Sequence, residues 1–180
     1  RIDSALMLRA YRAAFAGDLS SLCYWNNWLS AARETKELRQ QSWQMGNTLL
    51  RLLKELENEE LSSNISENLS AIEAIINALD KHCNYSIAFG ISAAFWKIEA
   101  EDALLGYLHS WVTNAIGAGV KLIPLGQTTG QQILSFLYPQ IVSVVPEILN
   151  LDEDRLSSCT WGLSLASSLH ETQYTRLFRS

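Results

Sequence analysis

ALLGYLHSWVTNAIGAGV, residues 103–120, carries no charged side chain and places Leu104, Leu105, Leu108, Trp111, Val112 and Ile116 at helical spacing. The stretch reads as the central helix of a soluble helical domain. Its eighteen uncharged residues approach membrane-spanning length, but Gly106, His109, Ser110, Thr113, Asn114 and Gly117 form a small or polar stripe, and Asp102 and Lys121 flank it. No membrane association is expected. Gly106, Gly117 and Gly119 each cost about 1 kcal/mol of helix propensity relative to alanine, a loss that close approach of a neighbouring helix would offset. The predicted neighbour is YSIAFGISAAFW, residues 85–96, whose Ala88, Gly90, Ser92, Ala93 and Ala94 offer small surfaces between aromatic anchors.

The same helical period extends in both directions. Asp3 or Ser4 is placed to cap a first helix through Leu6, Met7, Ala10, Ala13 and Ala14, and Gly17 with Asp18 supplies a stop and a new cap. A second helix carries Leu22, Trp25, Leu29 and Ala32 up to the polar run RETKELRQQ (33–41), which is an exposed turn of helix or a join. Leu38, Ser42, Met45, Leu49, Leu52 and Leu56 then mark the expected core stripe of a third helix. NEELSSNISENLS (58–70) reads as a long loop, with Ser66 or Ser70 capping a helix that carries Leu69, Ile72, Ile76 and Leu79. Glu99, Glu101 and Asp102 sit at the positive end of the central helix. Beyond it, Pro124 and Gly126 break the chain, Thr129 and Gln132 offer a capping box, and Pro139 and Pro146 are expected to fragment the helices after that turn. A last helix over 160–169 has Trp161, Leu165 and Leu169 on one side. The only β-branched cluster, Val142, Val144 and Val145, is bracketed by those prolines, so the expected class is an all-α single-domain bundle.

Composition narrows the function. At 180 residues with a net charge of −5 the chain is large enough for one core and lacks the basic face that nucleic acid requires. Cys23, Cys83 and Cys159 are odd in number and show no metal or redox spacing, which suits buried thiols in a reducing compartment such as the cytoplasm. The start at Arg1 suggests a fragment of a longer chain. His82 and Cys83 are adjacent and point about 100° apart on a helix, so no metal site is assigned to them. No Walker A or GxGxxG loop is present, no cofactor is expected, and His109 is expected as a satisfied core histidine. A small helical enzyme using His109 or His170 as a base is the alternative, requiring a pocket that holds one of them beside a perturbed carboxylate.

The terminus is the unusual part. HETQYTRLFRS (170–180) combines the apolar anchors Tyr174, Leu177 and Phe178 with Arg176 and Arg179. A division into a bundle over 1–169 and a docking tail over 170–180 is expected. Within the tail His170, Glu171, Gln173, Tyr174, Arg176, Leu177, Phe178 and Arg179 are the candidate contacts. Lys121 and Gln127, beside Pro124 and Gly126, are expected on an exposed turn facing a partner.

Three stretches together, ETKELRQQSWQMG (34–46), PLGQTTGQ (124–131) and HETQYTRLFRS (170–180), resemble the UreF family of urease accessory proteins. Residues 85–90 support the match. Lys36 stands where arginine is usual, Asn84 where histidine is expected and Leu169 where many relatives have arginine; the family's upstream Pro-Val-Gly-Gly run does not occur. The resemblance implies an all-helical, non-catalytic protein that joins the scaffold UreD (UreH in some bacteria) and the GTPase UreG in delivering nickel to apo-urease. It also implies control of UreG hydrolysis, tail contacts with the scaffold and a homodimer within the complex.

Overall fold

The computed structural model describes residues 2–59, 65–123, 125–157 and 160–174, without the side chains of 58, 59 and 65–68. Within them the chain forms α1 (Ile2–Phe15), α2 (Leu19–Ala32), α3 (Lys36–Glu59), α4 (Ile65–Ala78), α5 (Tyr85–Phe95), α6 (Ala100–Leu122), α7 (Gln127–Leu149) and α8 (Trp161–Glu171), with a 3-10 turn at Glu153–Arg155. The described residues contain no strand, so the all-α class holds.

α1 and α5 are the centre. Residues 4–10 of α1 are all buried, as are 86–88 and 90–94 of α5. The two helices pack backbone to backbone at Gly90, where an added Cβ would lie 2.3 Å from the Met7 carbonyl oxygen and 2.9 Å from the Tyr11 nitrogen. The small face of α5 therefore serves α1, which corrects the expected pairing with residues 103–120. A Cβ added at Gly106 or Gly117 of α6 would meet nothing within 4 Å, so these glycines mark no close contact. The close contact on the α6–α7 side is instead at Gly130 of α7, which lies against Ile116 Cγ2 and Val120 Cγ2 at Cβ distances of 3.1 and 3.3 Å.

The connection between α4 and α5 has no regular structure, and two asparagines satisfy its backbone. Asn26 of α2 donates through Nδ2 to the His82 carbonyl (2.9 Å) and accepts from the Asn84 amide at Oδ1 (2.9 Å). Asn47 of α3 donates to the Lys81 carbonyl (2.5 Å) and accepts from the Cys83 amide (3.3 Å). Gly46 lets α3 come that close, because a Cβ there would be 2.2 Å from the Cys83 carbonyl oxygen. Leu22, Leu29, Leu50, Leu53, Ile72, Ile87 and Ile91 close the main core around this centre.

Several local expectations change. Met45, Leu52 and Leu56 are exposed, and the inward row of α3 is Ser42, Gly46, Leu50, Leu53 and Glu57. The expected loop over 58–70 is mostly helix, since α3 runs to Glu59 and α4 begins at Ile65, with Ser66 and Ser70 inside it. Asp3 and Ser4 lie inside α1 rather than before it. Asp18 does cap α2, accepting from Ser21 N (3.0 Å) after Gly17 at φ 70°, and hydrogen bonding from Ser21 holds its carboxyl below the usual range. α7 is capped by Gly126, with Thr129 in its first turn, and runs unbroken through Pro139 and Pro146. Both prolines are exposed, so the carbonyls of Ser135 and Val142, which they leave without an amide partner, can turn to water.

α6 and α7 form a hairpin attached to the body at one end. Leu104 and Tyr107 of α6 join Val145 and Ile148 of α7 against Ala5 and Met7, with Phe89 edge-on to Tyr107 at a centroid distance of 5.2 Å. Arg9, buried over the Trp25 ring, donates to the Ala5 and Leu151 carbonyls (3.2 and 2.9 Å), and Arg12 donates to that of Leu149 (3.3 Å). Beyond this base, from 109 to 140, Gly130 is the buried residue among those described.

Candidate docking surfaces

α8 sits on the junction of α2 and α3 with its amphipathic sense inverted. Ser167 Oγ is 2.7 Å from Thr35 Oγ1, and Ser164 donates to Glu34 Oε1 (3.1 Å). His170 Nδ1 pairs with Glu37 Oε2 (2.6 Å), and the Glu37 amide donates to Glu171 Oε1 (3.0 Å). That last bond places a carboxylate at the N-terminal turn of α3, where the helix dipole favours it. No residue of α8 is buried. Trp161, Leu165 and Leu169, expected as one side of a helix, do share a side, but it faces outward at 74, 63 and 72% exposure.

Of the candidate tail contacts, His170 and Glu171 complete α8, while Gln173 and Tyr174 follow it in the open. Arg176, Leu177, Phe178 and Arg179 lie outside the described residues. Lys121 ends α6, Gln127 begins α7, and both are exposed at the tip of the hairpin. The two sets thus occupy different elements. Sequence reasoning missed how much of the hairpin stays uncovered: Trp111, Leu122, Ile123, Phe136, Tyr138 and Val142 are all exposed. A signal was present, for Lys121 is the sole charged residue between Asp102 and Glu147.

The chemistry on offer elsewhere is slight. His109 is exposed, correcting its expected place in the core, and His170 is held by Glu37. A cavity of about 450 Å3 is lined by Arg9, Arg12, Trp25, Asp18, Asp152 and Glu153, in which the opposite charges offset one another. A second, of about 370 Å3, lies between Cys23, Trp43, Asp80 and His82. Neither includes His109 or His170. Burial pushes the Cys83 thiol and the Tyr107 phenol well up, so both stay neutral at pH 7 and Cys83 is no thiolate nucleophile. Cys23 is half-buried rather than buried, and Cys159 lies outside the described residues. Among the described residues no three His, Cys, Asp or Glu side chains converge to hold a metal ion. Among the described residues α7 is the helix long and apolar enough to cross a membrane, by length and composition only; the uncharged 103–120 stretch within α6 is not.

Comparison with known proteins places the chain in a family. The UreF family model matches residues 1–138. The urease accessory protein UreF of Nostoc sp. is 56% identical over 180 residues, covering 100% of this chain and 73% of the relative. That of Trichormus variabilis is 53% identical with the same coverage, and that of Chromohalobacter salexigens is 38% identical over 100% of this chain and 72% of its own length. With the family model matching from α1 into α7 and relatives aligned along the whole of this chain, the chain belongs to the UreF family.

Proposed function

We propose that this chain is a urease accessory protein that acts in the cytoplasm as a non-catalytic adaptor. It binds the UreD/UreH scaffold and the GTPase UreG, supports nickel insertion into apo-urease, and controls UreG hydrolysis. The observation that carries the reading is 56% identity along the whole chain to a protein named urease accessory protein UreF. The inverted α8 supports it, because an uncovered apolar row beside the candidate tail suits a partner more than a solvated end. The division into a bundle over 1–169 and a docking segment over 170–180 belongs to the same reading, with the segment beginning inside α8. The exposed apolar side chains of the α6–α7 hairpin, which carries one charged residue between Asp102 and Glu147, support the homodimer, since such a surface is matched by an identical one.

Pull-down of the chain against UreD and UreG separately tests the proposal, and capture of neither would overturn it. Deleting residues 175–180 is expected to abolish scaffold capture while leaving the thermal midpoint unchanged; capture retained by the folded, truncated chain would remove the tail from the interface. Lys121→Glu, at the exposed hairpin tip, is expected to weaken coupling to UreG with no change in helicity. Normal urease activation by that variant would show that the tip is a plain solubilising turn.

A further inference from the structure

We infer that the cavity between α2, α3 and the α4–α5 connection is a recognition pocket for a guanidinium group, the planar cation that ends an arginine side chain. Such a pocket does not depend on the adaptor reading and involves no residue of the tail.

Three acceptors converge on this cavity of about 370 Å3. α4 ends at Ala78 with no basic residue in its last turn, so the negative end of its dipole lacks the side-chain cation that favours a helix C-terminus. The Ala78 carbonyl accepts from the Cys23 thiol at 3.7 Å, a weak donor that leaves capacity for a stronger one. Asp80 and Asn27 line the same cavity, and both are exposed. Among the described residues neither of these two side chains has a hydrogen-bonding or ionic partner. The described wall contains a carboxylate but no lysine or arginine, since Lys81 and Arg39 lie outside it. An anion would be repelled by Asp80 and by the helix end, whereas a cation is favoured by both.

The walls are set before any ligand arrives. Asp80 and Lys81 take the left-handed backbone at φ 43° and 60°, which residues other than glycine keep only where their surroundings enforce it. Asn47 and Asn26 do so by donating to the Lys81 and His82 carbonyls (2.5 and 2.9 Å). His82 is thereby seated edge-on to Trp43 at a centroid distance of 4.4 Å, and Trp43 is fixed in turn by donating to Ser30 Oγ (3.0 Å). Two flat rings beside acceptors at separate points suit a planar fork of five N–H donors, which can stack and bond at once, better than the compact ammonium of lysine. The Arg39 guanidinium stands over the Trp43 ring at 5.8 Å, so this indole already attracts that group within the chain.

The test titrates the full chain with two guanidinium probes and follows the Trp43 indole N–H resonance. Ethylguanidinium offers the group free, and the peptide acetyl-Gly-Arg-Gly-amide offers it from a polypeptide. The matching citrulline peptide, neutral and of nearly the same shape, is the control. Both guanidinium probes should give saturable shifts at about millimolar concentration, and the citrulline peptide none. Binding of the arginine peptide about tenfold more tightly than ethylguanidinium would support the pocket with a protein side chain as its occupant, and equal binding would support it with a free small cation. Asp80→Asn, which places a residue suited to the left-handed region there, should leave the thermal midpoint unchanged and weaken binding of the arginine peptide about tenfold. Absence of a shift with the arginine peptide, an equal shift with the citrulline peptide, or full affinity in folded Asp80→Asn overturns the pocket.

Discussion

Gly90→Ala lowers the thermal midpoint by about 10 °C, because one methyl group at this position would stand 2.3 Å from the Met7 carbonyl oxygen and 2.9 Å from the Tyr11 nitrogen. Both are backbone atoms of the central helix α1, so no side chain can swing away to make room. Helices α1 and α5 would have to separate along their whole contact. Overpacking of this kind costs about 3 kcal/mol or more, at the upper end of what small-to-large core changes produce. Gly106→Ala is the matched control. Its new methyl meets nothing within 4 Å, and the gain in helix propensity should raise stability by about 1 kcal/mol. Thermal unfolding of the two variants side by side checks the assignment of the packing axis. Equal effects would mean that α5 does not depend on its approach to α1.

Asn26→Ala is expected to cost about 2–4 kcal/mol, since it strands the buried Asn84 amide at about 1–3 kcal/mol and removes the bond to the part-buried His82 carbonyl, at about 1 kcal/mol. Asn26 is itself 2% exposed, so water cannot readily replace its amide. Asn47→Ala acts on the same connection from α3 but at a more open site, and about 1 kcal/mol is expected. The two residues pin consecutive parts of one short segment. The double variant should therefore fall short of the sum of the singles, because the segment released by the first loss has less left to lose. Urea unfolding of the three variants measures the coupling. Strict additivity would mean that the connection is held independently by each helix.

These two sites show where sequence was informative and where it was not. The boundary at Gly17 and Asp18 was readable because both residues act locally: one adopts φ 70°, and the other bonds an amide three residues on. The helical class was readable for the same reason. The inward face of α3 and of α8 was not. In α3 the rows Met45, Leu52, Leu56 and Leu50, Leu53, with Ser42 and Gly46, are both helical, and periodicity cannot say which one meets the body. In α8 the serines at 164 and 167 repeat as regularly as the leucines at 165 and 169, and burial usually selects the leucines; here it selects neither. Small faces posed a similar problem. Gly90 and Gly106 look alike in sequence, and the partner that makes one indispensable, α1, is separated from α5 by three intervening helices. Of the candidate docking residues, Lys121 and Gln127 were legible as exposed because a helix break with glycine brings its flanks to the surface.

The attachment of the α6–α7 hairpin at one end has a mechanical consequence. From Leu108 to Leu122 the arm extends about 21 Å at 1.5 Å per residue, well beyond the Tyr107, Phe89 and Arg9 contacts that fix its base. It is therefore a lever whose fulcrum is the α1–α5 pair. A tilt of about 5° at that fulcrum carries Lys121 and Gln127 through nearly 2 Å, on the order of the helix shifts by which subunit interfaces change state. Arg9 and Arg12 donate to the Leu151 and Leu149 carbonyls just behind the pivot, so two guanidinium groups on α1 add to the apolar contacts that hold the angle of the arm. Anything bound at the tip would sense the packing of the core through the direction in which the arm points.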